Sequence, residues 1–235
     1  MLVRRTKHQI RRRDVALALL EGMARGRVLD APCGQGLLAR ALARAGHEVW
    51  ACDLDPDALA ASHDVRFHVA DLNASLPYPD AFFDAVVSLE GVEHLTRPAA
   101  CLTEFARVLR PGGRLVLTTP NVNNVQSRAH YFLAGRFSGF RPITRRPVHG
   151  MPERGHWHVS VPYLPALVFL MNEAGLRVDA VQVTMIKTKQ WLLVPLAAPM
   201  WLAGLRAPGG TLARLLGSWK LLLGRSVVVR AIKDR

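Results

Sequence analysis

A glycine-containing loop between an apolar strand and a helix constrains this chain more than any other feature. The apolar run 27–30 predicts a strand, and Gly34-x-Gly36-x-x-Ala39 follows it and opens a helix. Glycines let a ligand approach the backbone, and a helix N-terminus offers free N–H groups. Asp53 ends the next predicted strand, where a carboxylate accepts hydrogen bonds from ribose hydroxyls. The pattern predicts an adenosine-containing cofactor and leaves a nicotinamide dinucleotide open.

Strands and helices alternate along most of the sequence. We predict strands at 27–30, 48–52, 65–70, 83–89, 114–119, 176–183 and 226–232, and helices at 14–24, 36–45, 57–62, 98–109 and 162–173, with a turn at 110–113. This alternation predicts an α/β fold, namely a Rossmann-like, doubly wound, mostly parallel seven-stranded sheet. An apolar helical insert separates the last two strands.

The length of 235 residues, half of them hydrophobic, suits one domain over 1–235 with a substantial core. Within it we expect a basic N-terminal helical segment, a cofactor-binding core, a substrate-side region and the apolar insert. Their predicted bounds are 1–26, 27–121, 122–175 and 184–224.

The formal charge of +13 is unevenly spread. Residues 28–119 hold 12 acidic and 7 basic residues, a net charge of −5, so the flanks carry +18. Cationic flanks suit an anionic partner such as lipid headgroups, a phosphorylated substrate or RNA. Solvated arginines without a partner are the alternative.

The cysteines, Cys33, Cys52 and Cys101, lie far apart without a CxxC pair, which predicts neither a zinc site nor a disulfide framework. No apolar segment of the secretory type follows the basic N-terminus. We therefore expect a cytoplasmic protein.

Further acidic residues decide between the adenosine cofactors. Asp30 lies at the strand tip before Gly34, where it would repel a pyrophosphate and attract a methionine ammonium. Asp71 follows the third strand, placed to accept from an adenine amino group while Leu72 packs on the ring. These positions favour a sulfonium cofactor.

Together these segments resemble the class I S-adenosylmethionine-dependent methyltransferases, closely over 25–121 and loosely elsewhere. The segments are VLDAPCGQG (28–36), ACDLD (51–55), ADL (70–72), FDAVVSLEGVEHL (83–95) and LRPGGRLVLTTPN (109–121). Pro32 departs from the family, which more often has glycine there.

The resemblance implies a set of cofactor contacts. Asp30 orients the methionine amino group, and Gly34 and Gly36 admit the methionyl and ribose parts. The remaining implied contacts are Cys33, Asp53 at the ribose, Leu54, Asp71 and Leu72 at the adenine, and Glu90.

An acid–histidine cluster, Glu90-Gly-Val-Glu93-His94, follows the fourth strand. The ExxEH pattern resembles ubiquinone-biosynthesis O-methyltransferases and small-RNA 2′-O-methyltransferases. That resemblance implies a Mg²⁺ site of Glu90, Glu93 and His94, with His158 or His156 as the distant ligand. A metal-free catalytic or positioning role for Glu93 and His94, and a purely structural one, stay open.

Candidates for the acceptor side come from the second half of the chain. Asn121 ends the fifth strand and is expected to line the acceptor site with His158. Tyr131 and His149 are further candidates for substrate contact, with loop packing as the alternative.

The insert contains an uncharged run, 191–205, broken by Pro195 and Pro199 and too short for a confident membrane span. Residues 211–223 resemble an interfacial helix. A membrane-surface contact, a roof over a greasy substrate, and a dimer contact or plain core are the three interpretations.

The sequence therefore predicts an S-adenosylmethionine-dependent O-methyltransferase of a small-molecule, lipid-linked or glycan acceptor, with peripheral contact at the inner face of the membrane. An RNA-modifying enzyme and a cofactor-binding protein without catalytic activity are the alternatives. The oligomeric state is left open.

Overall fold

A seven-stranded sheet organises the chain, with strand order β3-β2-β1-β4-β5-β7-β6. The computed structural model describes residues 7–59, 62–140, 158–186, 188–206 and 214–234. Only β7 runs antiparallel, pairing with β5 on one side and β6 on the other. The predicted Rossmann-like, mostly parallel sheet is confirmed.

The strands coincide closely with the apolar runs because buried parallel strands are apolar on both faces. They are β1 Arg27–Asp30, β2 Glu48–Asp53, β3 Val65–Val69, β4 Phe83–Leu89, β5 Leu109–Pro120, β6 Leu176–Val183 and β7 Ser226–Lys233. Val28 and Leu29 of β1, and Val86 and Val87 of β4, are fully buried. One cluster of core residues lies on each face of the sheet's centre.

Helices cover the sheet and extend beyond its end. They are α1 Lys7–Leu20, α2 Leu37–Arg44, α3 Pro98–Val108, α4 Val125–Ala134, α5 Leu164–Glu173, α6 Val194–Arg206 and α7 Trp219–Leu223, with 3₁₀ turns at Val92–His94 and Thr188–Leu193.

Three local predictions were wrong. The first helix occupies Lys7–Leu20 and not 14–24, because its apolar face ends at Leu20 and Gly22 follows with a φ of 76°. The described part of 57–62 forms turns, with Asp55 accepting the Ala58 N–H, and not a helix. The turn expected at 110–113 is a bulge within β5, where the pairing with β4 shifts register.

The insert between β6 and β7 forms a small lobe with its own core. We define the insert lobe as residues 188–206 and 214–224 together with α4, which packs against them. Val125, Ala197, Leu222 and Leu223 are buried at its centre. The helical insert predicted between the last two strands is therefore present.

The carboxyl ends of the parallel strands meet at one edge of the sheet, where ligands of this architecture bind. Asp30, Asp53 and Leu89 end β1, β2 and β4 there. Ser226, the first residue of antiparallel β7, pairs with Pro120 at the same edge. The predicted site residues therefore come from neighbouring strand ends. Among the described residues, no helix is long and apolar enough to span a membrane.

Candidate cofactor and acceptor site

The loop after β1 is held open by its own hydrogen bonds. Gly36, with a φ of 67°, precedes α2 and donates its N–H to the Cys33 carbonyl at 2.9 Å. Gly34 donates its N–H to Asp53 Oδ2 at 2.8 Å, and the buried Cys33 thiol donates to the Gly34 carbonyl at 3.4 Å. A side chain at Gly34 would meet no atom within 4 Å. The loop therefore leaves open volume beside the tip of β1.

Asp30 is a buried carboxyl group beneath this loop. It accepts the Ala39 N–H at 2.9 Å, which fixes the first turn of α2 to the end of β1. Burial raises the pKa of Asp30 to about 8, with a smaller contribution from the nearby Asp53 carboxylate and against the Ala39 hydrogen bond. A cation bound here would return the pKa toward its usual range. The group is therefore suited to a positively charged ligand.

The predicted ribose and adenine contacts follow in order along the same edge. Asp53 Oδ1 accepts the Asp55 N–H at 3.2 Å, and Leu54 beside it is exposed. Asp71 accepts from the backbone N–H and the side-chain amide of Asn73, while Leu72 is buried. Asp53 contacts the loop at 33–36 directly, and Asp71 and Leu72 follow β3, which pairs with β2.

The unusual Pro32 has a matching glycine in the loop after the neighbouring strand β4. A Cβ at Gly91 would lie 2.4 Å from Pro32 Cδ, so the residue after Glu90 must be glycine while proline occupies position 32. Glu90 itself has a φ of 54°, which non-glycine residues rarely adopt. The two loops are therefore packed against each other, and Glu90 is turned toward the strand ends.

Glu90 is held by the N-terminal helix, a contact that the sequence did not predict. Arg12 of α1 forms an ion pair with Glu90 at 2.8 Å, and Arg12 Nε is buried without a hydrogen-bond partner among the described residues. Burial raises the pKa of Glu90, opposed by the Arg12 guanidinium. His8, one turn earlier, contacts Arg225. The only sequence signal for this contact was the concentration of basic residues before β1.

Glu93 is the most deeply buried acid of the cluster. Its Oε2 accepts the Thr119 hydroxyl at 3.1 Å, while Oε1 is buried with no hydrogen-bond partner in the described part of the chain. Burial raises the pKa of Glu93 well above its usual range, and Glu90 raises it further. An unpartnered buried oxygen is costly, so Oε1 is placed for a ligand or a proton.

Two histidines face each other beside Glu93. The rings of His94 and His158 lie 4.8 Å apart between centroids, and Phe140 packs 4.8 Å from His158 on another side. His158 is brought in because Val159 and Ser160 donate their N–H groups to the Glu93 carbonyl. His158 Nδ1 is buried without a partner among the described residues. Burial lowers the pKa of His158, so its ring is neutral at pH 7.

Part of the predicted metal-ligand set is assembled. Ligand atoms of Glu93, His94 and His158 lie within 4.8 Å of one another, whereas Glu90 is outside this group and paired with Arg12. A single carboxylate with two imidazoles fits a divalent transition metal better than Mg²⁺, which prefers oxygen ligands. The unpartnered Glu93 Oε1 and His158 Nδ1 fit a cation chemically, and metal binding stays a prediction.

Asn121 has a role that the sequence did not indicate. Its side-chain amide donates to the carbonyls of Leu221 and Gly224 at 2.7 and 2.9 Å, and its Oδ1 accepts the Asn123 N–H. These bonds fasten α7 of the insert lobe to the end of β5. The predicted acceptor contact of Asn121 stays a prediction.

The other acceptor-side candidates are more distant or outside the described residues. Tyr131 is exposed and stacks on Phe137 with 4.7 Å between ring centroids. His149 and His156 lie outside the described residues. His158 is therefore the described histidine that reaches the cluster from the second half of the chain.

Comparison with known proteins agrees with this geometry. Residues 29–117 match the family model described as a methyltransferase domain. A ubiquinone biosynthesis O-methyltransferase of Xanthomonas oryzae is 38% identical over 118 residues, which cover 47% of this chain and 49% of that protein. Its counterpart in Xylella fastidiosa is 42% identical over 106 residues, covering 40% and 42%. The chain thus spans about half the length of the curated relatives it matches.

A solved structure shares the fold of this chain. An S-adenosylmethionine-dependent methyltransferase from Mesorhizobium loti superposes with a TM-score of 0.58 at 15% identity, covering 93% of this chain and 96% of that one. Residues 29–117 thus match a methyltransferase domain, and the fold is that of a solved S-adenosylmethionine-dependent methyltransferase. The domain match lies inside the predicted cofactor-binding core of 27–121 and includes both glycines of the loop and the acid–histidine cluster.

The two loop glycines allow a testable contrast. Gly34→Ala is expected to weaken S-adenosylmethionine binding by about tenfold or more, because its methyl group enters open volume beside the strand tip. Its backbone strain, of about 1 kcal/mol, should lower Tm by only roughly 2–4 °C. Gly36→Ala should lower Tm further, because its Cβ would lie 2.0 Å from Leu59 Cδ1. Calorimetric binding and thermal unfolding of both variants measure the contrast, which equal Tm losses would contradict.

Proposed function

We propose that this chain transfers a methyl group from S-adenosylmethionine to a hydroxyl oxygen of a small-molecule acceptor, lipid-linked or glycan-like. The observation that carries the proposal is the cluster of Glu93, His94 and His158 at the strand ends beside the cofactor loop. A sulfonium methyl group is already activated, so the protein must align the nucleophile and accept its proton. The neutral His158 ring and the unpartnered Glu93 oxygen suit that task.

The charge of each side chain suggests which group of the cofactor it would bind. Asp30, with Glu90 nearby, would attract the methionine ammonium, and Arg12, whose Nε is buried and unpartnered, would hold the carboxylate. Asp53 would accept from the ribose hydroxyls. Asp71 would accept from the adenine amino group, with Leu54 and Leu72 flanking the ring. These assignments use the open volume beside Gly34 for the methionyl part.

The reaction is an in-line displacement. The acceptor oxygen attacks the methyl carbon, a carbon–oxygen bond forms, and the carbon–sulfur bond breaks to leave S-adenosylhomocysteine as a neutral thioether. The acceptor proton passes to an imidazole nitrogen of the His94–His158 pair. A divalent cation at Glu93, His94 and His158 would lower the pKa of the acceptor hydroxyl when bound.

The acceptor class rests on the relatives and on the charge of the chain. The matched relatives are named as O-methyltransferases of ubiquinone biosynthesis, which supports an oxygen acceptor. The cationic flanks and the apolar insert support an amphiphilic acceptor encountered in the cytoplasm, at the inner face of the membrane.

Label transfer from radioactive S-adenosylmethionine tests the proposal. The purified chain is incubated with bacterial extract separated into small-molecule, lipid, glycan and RNA fractions. We expect label in a small-molecule, lipid or glycan fraction, stable to mild acid as an ether. The variant Glu93→Gln, which keeps an oxygen for the Thr119 hydroxyl, should label none. Label confined to RNA, or cofactor binding without transfer to any fraction, would overturn the proposal.

A further inference from the structure

One face of α6 packs against the rest of the insert lobe. Gly204 and Gly217 let two backbones touch, since a Cβ at Gly204 would lie 2.7 Å from Gly217 Cα. Trp201 of α6 stacks on Trp219 of α7 with 5.6 Å between ring centroids. Ala197 is fully buried on the same face. The inner face of α6 is therefore already used by the protein's own core.

The outer face of α6 is apolar as well, and it is exposed. Leu196, Leu202 and Leu205 project from this face, and Leu205 is 56% exposed. Trp191 and Leu192 precede the helix, and Leu192 is 81% exposed. A helix that is apolar on all sides is normally buried on all sides. The inner face of α6 contacts the protein core, so its outer face is expected to contact another apolar environment. The outer face thus lacks a partner within the described residues.

Helix α4 adds further apolar side chains beside this face. Arg128 of α4 reaches Met200 Sδ of α6 at 3.8 Å and the Leu216 carbonyl at 3.4 Å, and α4 packs against α7 and the 3₁₀ turn that precedes α6. Phe132 follows one turn later on the same side of α4 and is 88% exposed, with Leu133 exposed next to it. We call the exposed apolar residues of α4, the 3₁₀ turn and α6 the apolar face.

The charge of the insert lobe has one sign. Residues 188–224 contain no Asp or Glu and 4 basic residues, and residues 125–134 of α4 contain no Asp or Glu and 1 arginine. Arg206 ends α6, and Arg214 and Lys220 are exposed on the same lobe. Arg128 is half-buried, burial lowers its pKa, and it forms no ion pair among the described residues. The lobe therefore offers cations without acids to balance them.

We propose that the apolar face is a docking surface for an anionic lipid bilayer. Aliphatic side chains flanked by basic residues insert at the headgroup boundary, while the cations contact lipid phosphates. A second copy of this chain does not fit, because two acid-free cationic lobes would repel each other. RNA fits poorly, since the face is mainly leucine and offers few aromatic rings for base stacking.

The position of the insert lobe links membrane docking to the supply of the acceptor, an inference that rests on the proposed function. Asn121 at the end of β5 holds Leu221 and Gly224 of the lobe, and Ser226 follows at the strand edge that carries Glu90. The docking surface therefore belongs to the lobe attached at the acceptor side of the sheet. A lipid-linked acceptor could pass from the bilayer to the cluster without crossing water.

Vesicle flotation with the intact chain tests the docking. We expect binding to vesicles of phosphatidylcholine with phosphatidylglycerol, little binding to phosphatidylcholine alone, and weakening as salt rises. The triple variant Leu196→Ser/Leu202→Ser/Leu205→Ser should bind at least about tenfold more weakly. Phe169→Ser is the matched control, because Phe169 is exposed and apolar on α5, which packs against α3 and β6. Arg206→Glu/Arg214→Glu, changed only at exposed positions, is a second variant and should also bind more weakly.

The outcomes separate this proposal from the methyltransferase activity. His94→Ala, which should impair transfer, is expected to bind vesicles like the wild type. The docking proposal is overturned if the intact chain ignores anionic vesicles, or if the triple variant, folded by circular dichroism, binds as well as the wild type. It is also overturned if sedimentation shows a dimer that the triple variant abolishes, which would make a second copy the occupant.

Discussion

Replacing His158 with alanine is expected to lower kcat for methyl transfer by roughly 10²–10⁴-fold while leaving the Kd for S-adenosylmethionine near its wild-type value. The His158 ring lies 4.8 Å from that of His94 and has a buried, unpartnered Nδ1. Its loss removes an acceptor for the substrate proton. The predicted cofactor contacts lie at the ends of β1, β2, β3 and β4 and do not include His158, so we expect them to be unaffected. Single-turnover rates, together with calorimetric cofactor binding, measure the two effects separately.

A histidine outside the cluster provides the control. His63→Ala, at an exposed position, should change neither kcat nor Kd. A chelator then distinguishes two mechanisms. If it abolishes wild-type turnover and a transition metal restores it, Glu93, His94 and His158 act as metal ligands. If it changes nothing while His158→Ala is inactive, the imidazoles act without metal. Wild-type kcat in both His158→Ala and Glu93→Gln would show that the cluster has only a structural role.

The sheet could be predicted because its information is local. A strand such as Phe83–Leu89 is buried on both faces, so it appears in the sequence as a continuous apolar run bounded by polar residues. The same holds for the loop at Gly34 and Gly36, where backbone conformation restricts the residue type at each position.

The errors occur where tertiary contacts override local pattern. Residues 7–13 are mostly basic and polar, so the hydrophobic periodicity began the first helix only at residue 14, within the helical segment expected over 1–26. They are helical because α1 packs on the sheet, and Arg12 thereby reaches Glu90. The predicted acceptor contact of Asn121 rests on its place at a strand end and stays a prediction, while its structural role was missed. Its bonds to Leu221 and Gly224 join segments far apart in sequence, and no local pattern reports such contacts.

At the acid–histidine cluster, some contacts follow from the local sequence and others depend on tertiary packing. Glu93 and His94 are neighbours in the sequence at a strand end, and their proximity could be predicted directly. His158 joins them only because Val159 and Ser160 bond to the Glu93 carbonyl. Its assignment came from a family resemblance that also offered His156. The ion pair of Glu90 with Arg12, which removes Glu90 from the ligand group, depends on the packing of α1.

The substitution Asp30→Asn is expected to stabilise the protein and weaken its cofactor binding. Burial raises the pKa of Asp30 from 3.8 to about 8 in the folded chain. Between those values the folded protein binds more protons than the unfolded chain, so the free energy of unfolding falls as pH rises from about 4 to about 8. Asparagine carries no charge, and its oxygen still accepts the Ala39 N–H. At pH 8 the variant should therefore gain on the order of 1 kcal/mol, or roughly 2–4 °C in Tm.

Cofactor binding should change in the opposite direction. A methionine ammonium binds the ionised carboxylate, so the wild-type Kd should fall as pH rises toward 8, and protons should be released on binding at pH 7. Calorimetry in buffers of different ionisation enthalpy measures that release. Asp30→Asn should weaken binding at least about tenfold and release no protons from this site. If Asp30→Asn lowered Tm at pH 8, or kept the wild-type pH dependence of Kd, Asp30 would not be the buried carboxylate that receives the cofactor's positive charge.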